Sequence, residues 1–127
     1  MTNKYVDGFV LAVPKKNLAA YRKMSQVMGK LTKKYGALEY LEAAGDDMDP
    51  KMMGDMKFLK FPQMVKAKPD ETVVFSFITF KSRAHRDAVN AKIMKDPMMN
   101  DPKMKDMPMP FDMKRMAYGG FKTIVEA

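Results

Sequence analysis

Residues 73–80 form an apolar run whose side chains are apolar on both of its alternating faces. Successive side chains of a strand point to opposite sides of a sheet, so both faces of this strand require cover. Only two segments of the chain have helical periodicity, which is enough to cover one face of a small sheet. The other face is therefore predicted to lie against a partner: a second copy of the chain, a ligand or a nucleic acid.

The apolar pattern predicts four strands, at residues 5–13, 37–44, 73–80 and 115–125. Apolar residues at steps of three and four predict a helix over residues 17–35 that ends at Gly36. Ser82 is predicted to cap a second helix over residues 83–95, which ends where Pro97 disfavours helical geometry. A helical turn is expected near residues 61–65, and residues 98–114, with three prolines, are expected to be irregular.

The resulting element order is βαββαβ, and residues 9–14 lead into the first helix much as residues 75–80 lead into the second. Two split βαβ halves make up a ferredoxin-like fold. We therefore predict an α+β sandwich, in which two helices cover one face of an antiparallel four-stranded sheet. A chain of 127 residues with 46% hydrophobic residues is expected to form one domain, residues 1–127.

The chain has no cysteine, which excludes disulfides, thiolate metal sites and cysteine nucleophiles. No apolar run approaches the ~20 residues of a membrane-spanning helix, and the first residues do not follow the pattern of a secretory signal. We expect a cytoplasmic protein without a membrane partner. The formal charge of +8 could attract phosphates, but many of the basic residues surround the apolar stripe of the first helix, as on a solvated surface.

Residues 75–80 resemble the end of the third-strand signature of RNA-recognition modules. That signature also has a basic residue and a glycine, where this chain has Val73 and Val74. The contact to phosphate and the close backbone approach are therefore missing. We expect no nucleic-acid partner, and RNA binding through the basic surface stays an alternative that a salt-dependent binding assay can test.

Methionine is unusually frequent, with 16 residues, half of them between Met94 and Met116. Thioethers select Cu(I), but methionine is also adaptable packing material for a flexible pocket or a dimer interface. With one histidine and no cysteine to assist, the packing interpretation is favoured. We expect no metal and no cofactor.

A site for a small organic ligand is predicted between the sheet and its covering layers. The candidate polar residues are Tyr5 and Asp7 on the first strand, His85 and Arg86 at the start of the second helix, and Arg115 and Tyr118 on the last strand. His85 is the predicted proton carrier, because an unperturbed imidazole titrates near neutral pH. A lone histidine on a basic helical turn is nevertheless more often a surface residue.

Several motifs bear on the family of the chain. They include Tyr5-Val6-Asp7-Gly8-Phe9, Met109-Pro110-Phe111-Asp112 and Tyr118-Gly119-Gly120-Phe121. With these motifs the chain resembles the YbaA-like family of short bacterial proteins, a family of unknown function, over nearly its whole length. The resemblance implies a dimeric α/β barrel, in which two subunits pack sheet against sheet. Related superfamily members bind organic substrates between sheet and helices, so the resemblance implies a ligand pocket by analogy.

The family motifs also include Asn90, which we predict to bind ligand together with Arg86. Two interpretations stay open, because Asp87, Asn90, Lys114 and Arg115 could instead form a polar network that fixes the second helix to the last strand. The sequence thus favours a cytoplasmic homodimer with a small-molecule pocket, which is either a binding protein or an enzyme. The alternative is an interaction or structural protein without a ligand.

Overall fold

A computed structural model describes residues 4–51 and 54–127. The strands are β1 (Tyr5–Pro14), β2 (Glu39–Ala44), β3 (Glu71–Phe80) and β4 (Ala117–Lys122). The helices are α1 (Leu18–Lys34), the single turn α2 (Phe61–Met64), α3 (Arg83–Lys95) and the single turn α4 (Pro102–Lys105). In this part of the chain, no helix combines the length and the apolar character that crossing a bilayer requires.

The four strands form one antiparallel sheet in the order β2-β3-β1-β4. β1 lies at the centre, where Asp7 is opposite Ile78 of β3 and Gly8 is opposite Gly119 of β4. The two long helices, α1 and α3, connect strands that are not hydrogen-bonded neighbours. This arrangement confirms the predicted ferredoxin-like α+β fold.

One face of the sheet, the helix-facing side, packs against α1 and α3. Leu11 and Val13 of β1 are 1% and 0% exposed there and cluster with Tyr21 of α1. Phe80 of β3 clusters with Val89 of α3 and with other residues of both helices. Because side chains alternate along β1, the odd-numbered residues 5–13 all belong to this side.

The opposite face, the open sheet face, is covered at one end only. Val10, Ala12 and Val73 are buried there beneath Val65, which follows α2, and beneath Met48. The rest of this face exposes large apolar side chains, namely Leu41 (44% exposed), Phe75 (45%) and Phe121 (61%). The prediction that β3 is apolar on both faces, and that the helices cover one of them, is confirmed.

The ends of the two long helices follow local signals in the sequence. Gly36, just beyond α1, has φ of +116°, a conformation that side-chain-bearing residues rarely adopt. The Ser82 hydroxyl accepts a hydrogen bond from the His85 backbone N–H at 3.1 Å and caps α3 as predicted.

Residues 98–114 are more ordered than predicted. Asp96, Asp101 and Asp112 each accept a hydrogen bond from a backbone N–H two residues later, at 2.9, 2.9 and 3.0 Å. Each carboxylate begins a short helical turn, and at two of the three sites a proline directly follows the aspartate. The prediction that the last strand begins at Arg115 is wrong, because Arg115 ends the turn that Asp112 caps and β4 begins only at Ala117.

Candidate functional site

A polar cluster lies on the helix-facing side where β1, β4 and α3 meet. Asp7 and Phe9 follow one another on this side of β1, and Tyr118 of β4 is opposite Phe9 in the register. Arg86, in the first turn of α3, reaches the same place. We call Tyr5, Asp7, Arg86 and Tyr118 the Asp7 cluster.

Asp7 and Arg86 form an imperfect buried pair. Asp7 is 2% exposed, and its Oδ1 lies 3.4 Å from Nη1 of Arg86, too poorly aligned for a hydrogen bond. In the described part of the chain this oxygen has no hydrogen-bond donor. The Arg86 Nε is 2.9 Å from the exposed Asp87 carboxylate, also without hydrogen-bond alignment. Buried polar atoms are nearly always paired, so an unpaired oxygen here marks an unusual position.

Two phenols complete the cluster. Arg86 donates from Nη1 to the Tyr118 hydroxyl at 3.1 Å and from Nη2 to the Tyr5 hydroxyl at 3.3 Å. The Tyr118 ring stacks on Phe9 with centroids 4.6 Å apart and remains 51% exposed. The cluster therefore combines a buried charged pair with an aromatic surface that solvent reaches.

Gly120 makes room for Tyr5 in this cluster. A β-carbon at position 120 would lie 2.2 Å from the Tyr5 hydroxyl and 2.7 Å from its ring. The glycine-rich motif of β4 thus places the Tyr5 hydroxyl within reach of Arg86.

The electrostatics of the cluster follow from its burial. Burial raises the pKa of Asp7, and it outweighs the opposing effects of the Arg86 charge and the nearby Tyr118 hydroxyl. Burial, followed by the charge of Asp7, raises the pKa of the Tyr118 phenol. A carboxyl group with a raised pKa beside a guanidinium and two phenols can accept or donate a proton and can bind a polar group.

The structure brings together Tyr5, Asp7, Arg86 and Tyr118 of the predicted site. His85 has other contacts: its Nδ1 accepts a hydrogen bond from the Lys81 backbone N–H at 3.0 Å, and its ring packs edge-on against Phe80. Asn90 lies half-buried one helical turn beyond Arg86. For both residues, a role in the site stays a prediction.

Arg115 lies at the opposite end of the sheet. It donates to both carboxylate oxygens of Glu71 at 2.6 and 2.7 Å, to Asp112 at 3.1 Å and to the Lys66 carbonyl at 3.1 Å. Glu71 pairs in the register with Pro14, at the far end of β1 from Asp7. Arg115 therefore joins β3 to two loops instead of joining α3 to β4, and its predicted part in a network with Asp87 and Asn90 is not what the contacts show.

A second polar group was not predicted. The phenols of Tyr21 on α1 and Tyr40 on β2 donate to the two oxygens of Glu42, at 2.6 and 2.9 Å. Tyr40 and Glu42 are two residues apart and so face the same side of β2. The alternation of β2 could have revealed this pair, whereas the contact with Tyr21 depends on how α1 packs on the sheet.

Known proteins resemble this chain over nearly its whole length. The family model "Protein of unknown function (DUF1428)" matches residues 4–113. The chain belongs to the DUF1428 family. It is 46% identical over 125 residues to the "Uncharacterized protein YbaA" of Escherichia coli strain K12, which covers 97% of this chain and 98% of that protein. The YbaA protein of Shigella flexneri matches with the same values.

A solved structure confirms the fold that the DUF1428 chain adopts. It is the crystal structure of a dimeric ferredoxin-like protein from an uncultured marine organism, with a TM-score of 0.56 and 15% sequence identity. The match covers 98% of this chain and 99% of the other. The family model and the Escherichia coli relative confirm the family resemblance inferred from the sequence motifs. The solved structure confirms the ferredoxin-like fold.

Proposed function

We infer that this protein is a cytoplasmic homodimer that binds a small organic molecule at the Asp7 cluster. The observation that carries the inference is the buried Oδ1 of Asp7, which has no hydrogen-bond donor in the described residues. Leaving such an atom unpaired destabilises a fold, so each one requires an explanation, such as a catalytic role or a bound partner that completes its hydrogen bonds. The bound molecule is expected to offer an O–H or N–H group to Asp7.

The surroundings of Asp7 indicate the rest of the ligand. Tyr118 is half exposed and stacked on Phe9, so it offers a flat aromatic surface beside the buried carboxyl group. Pockets for organic ligands commonly join apolar surface to a few fixed polar groups. We expect a compact, planar molecule with at least one hydrogen-bond donor. In a reaction, Asp7 is better placed than His85 to carry a proton, because the His85 Nδ1 is already hydrogen-bonded to the backbone.

A thermal-shift screen of the full-length protein against a broad metabolite collection tests the ligand site, because specific ligands raise stability by mass action. Compounds that stabilise the wild type should fail to stabilise Asp7→Asn and should bind more weakly to Tyr118→Leu, which removes the flat aromatic surface. Asp46→Asn removes a carboxylate from an exposed turn and should bind as the wild type does. Ligands whose binding is the same in Asp7→Asn would contradict this site. Failure of every compound would favour the interaction-protein alternative.

The homodimer is supported by the open sheet face. Phe75, Leu41 and Phe121 are exposed there, and Phe61 of α2 packs edge-on against Phe75 with ring centroids 6.4 Å apart. Contiguous exposed apolar surface of this kind marks interaction sites. The similar marine protein is described as dimeric, which agrees with this proposal.

The charge of the open sheet face favours a second copy over RNA. Among the outward-facing strand residues, the charged ones are Glu39 and Glu71, and Glu71 is paired with Arg115. A surface that binds single-stranded RNA needs basic groups around its aromatic residues. In the described part of the chain, no lysine or arginine is among the strand residues that face this side, so we propose packing between two sheets.

Sedimentation analysis at micromolar concentration tests the homodimer. The wild type should sediment as a dimer, and Phe75→Glu should shift it to a folded monomer, because a charge would be buried in the interface. Val27→Glu is the matched control, since Val27 is an exposed apolar residue of α1 away from the sheet. A folded wild-type monomer would contradict the assembly without bearing on the ligand site.

A further inference from the structure

A long groove separates α1 from the edge strand β2. Its volume is about 1250 Å³, and its α1 wall consists of residues that recur with each helical turn, from Leu18 to Lys33. The opposite wall is β2 itself, and Val74 lies at the base. β2 pairs with β3 only, so nothing in the described residues continues the sheet on this side. The groove is distinct from the Asp7 cluster, which lies beside the other edge strand.

Glu42 is a half-buried carboxylate in this groove. The Tyr21 hydroxyl donates to its Oε1 and the Tyr40 hydroxyl to its Oε2. Gly29 allows this arrangement, because a β-carbon there would lie 2.9 Å from the Tyr40 ring. The carboxylate is thus fixed in position by groups from two elements.

No lysine or arginine in residues 4–51 and 54–127 forms an ion pair with Glu42. Burial, together with the neighbouring Glu42, raises the pKa values of both Tyr21 and Tyr40, so the two phenols remain protonated donors. They orient the carboxylate without neutralising it. A fixed, partly buried negative charge beside two aromatic rings is suited to an ammonium group.

The α1 side of the groove carries the opposite charge. Arg22 and Lys30 line it and form no ion pair within the described residues, whereas the Lys33 ammonium donates to the Leu38 carbonyl at 2.6 Å. A simple organic cation would meet repulsion from Arg22 and Lys30, and a simple anion would meet repulsion from Glu42. A molecule that carries both charges can pair its cationic group with Glu42 and its anionic group with Arg22 and Lys30.

We propose that the groove between α1 and β2 binds a zwitterionic amine with an apolar body. Its ammonium group lies on Glu42, its acidic group lies on Arg22 and Lys30, and its body packs on apolar residues such as Leu18 and Val74. This is a second site, separate from the one at Asp7, and it does not depend on it.

Three probes share a phenyl ring and differ in charge. Phenylalanine carries both charges, phenethylamine carries only the ammonium group and 3-phenylpropanoate carries only the carboxylate. Isothermal titration calorimetry on the full-length protein should show that phenylalanine binds at least about tenfold more tightly than either single-charge probe. Glu42→Gln should weaken phenylalanine binding by at least about tenfold. Asp47→Asn, which removes a carboxylate from an exposed turn, should leave this binding unchanged.

A variant at the rim of the groove tests the proposal even if Glu42→Gln fails to fold. Lys30→Met changes an exposed side chain and should reduce the preference for phenylalanine over phenethylamine while leaving phenethylamine binding as strong or stronger. Circular dichroism of each variant establishes that it is folded. Three outcomes would each overturn the proposal: equal binding of phenylalanine and phenethylamine, undiminished phenylalanine binding to Glu42→Gln, or no binding of any of the three probes. The last outcome would favour a peptide strand that pairs with the β2 edge instead.

Discussion

Two arginines reach buried carboxylates at opposite ends of the same sheet, and they do so with very different geometry. Arg115 donates to both oxygens of Glu71 at 2.6 and 2.7 Å, and it also donates to Asp112 and to the Lys66 carbonyl. Arg86 approaches Asp7 through a single contact of 3.4 Å that is not aligned for hydrogen bonding. The residue types are similar, but only one pair has the bidentate geometry that makes such pairs strong.

The pKa values of Glu71 and Asp7 shift in opposite directions because of this difference in geometry. The hydrogen bonds from Arg115 lower the pKa of Glu71 to about 2, in spite of its burial. At Asp7 burial prevails, and the pKa is raised. Glu71 thus stabilises the fold in its charged form, whereas Asp7 is charged at a cost. Proteins tolerate such a cost where function requires it, so the contrast distinguishes a structural pair from a candidate site.

The largest expected effect comes from breaking the structural pair. Arg115→Met should lower the free energy of unfolding by about 3–5 kcal/mol, because Glu71, with a side chain 4% exposed, would remain as an uncompensated buried charge. Urea denaturation at neutral pH measures the change. Arg83→Met, on the exposed surface of α3, should change stability by less than about 0.5 kcal/mol. A loss of under about 1 kcal/mol in Arg115→Met would contradict the structural role of the pair.

The same pair should give the protein a marked acid dependence. Because the pKa of Glu71 is about 2 in the folded chain against its ordinary value of 4.5, its contribution is fully present above pH 4.5 and is lost as the pH falls towards 2. The shift corresponds to about 3 kcal/mol. Denaturation curves collected across this range should show a shallower pH dependence for Glu71→Gln than for the wild type. Parallel curves for the two proteins would refute the assignment.

A smaller effect is expected at the glycines of β4. Gly120→Ala should destabilise the fold by about 1–2 kcal/mol, because its β-carbon would lie 2.2 Å from the Tyr5 hydroxyl and displace that ring from Arg86. Gly119→Ala is the matched control, since the nearest atom to its β-carbon is 3.8 Å away. Thermal denaturation of both variants provides the comparison. Equal destabilisation would show that Tyr5 yields to the methyl group without loss.

The fold was predictable because its main signals are local. Alternation placed Leu11 and Val10 on opposite faces of β1, and Ser82 and Gly36 marked helix ends. The last strand was predicted too long because a side-chain cap, from Asp112 to the Lys114 N–H, outweighs strand propensity at Arg115. An apolar pattern carries no information about such caps.

The site was predictable only in part. Tyr5 and Asp7 share a face of β1 by alternation, and the family motif pointed to Arg86 and Tyr118. The approach of Arg86 to Asp7 and the imperfect alignment of the pair depend on how α3 packs on the sheet, which no single segment encodes. Arg115 was assigned to the same site because it was predicted to lie on the last strand together with Tyr118. The turn before β4 carries it instead to Glu71.

The smallest effect on stability should come from Asp7 itself. Asp7→Asn keeps the shape of the side chain and removes a buried charge whose arginine is poorly aligned. Arg86 keeps its hydrogen bonds to the Tyr5 and Tyr118 hydroxyls. We expect the free energy of unfolding at neutral pH to change by less than about 1 kcal/mol, in the stabilising direction. Urea denaturation of Asp7→Asn and Arg115→Met under the same conditions compares their free energies of unfolding directly.

The raised pKa of Asp7 predicts how the stability difference between the wild type and Asp7→Asn depends on pH. The pKa of Asp7 is raised in the folded chain above its ordinary value of 3.8, so the unfolded state releases its proton first as the pH rises. The wild type should therefore lose stability relative to Asp7→Asn between pH 3.8 and the raised pKa, and the two should be nearly equal in stronger acid. A loss of about 3 kcal/mol or more in Asp7→Asn at neutral pH would place Asp7 with Glu71 as a structural carboxylate, and the unpaired oxygen would then no longer argue for a ligand.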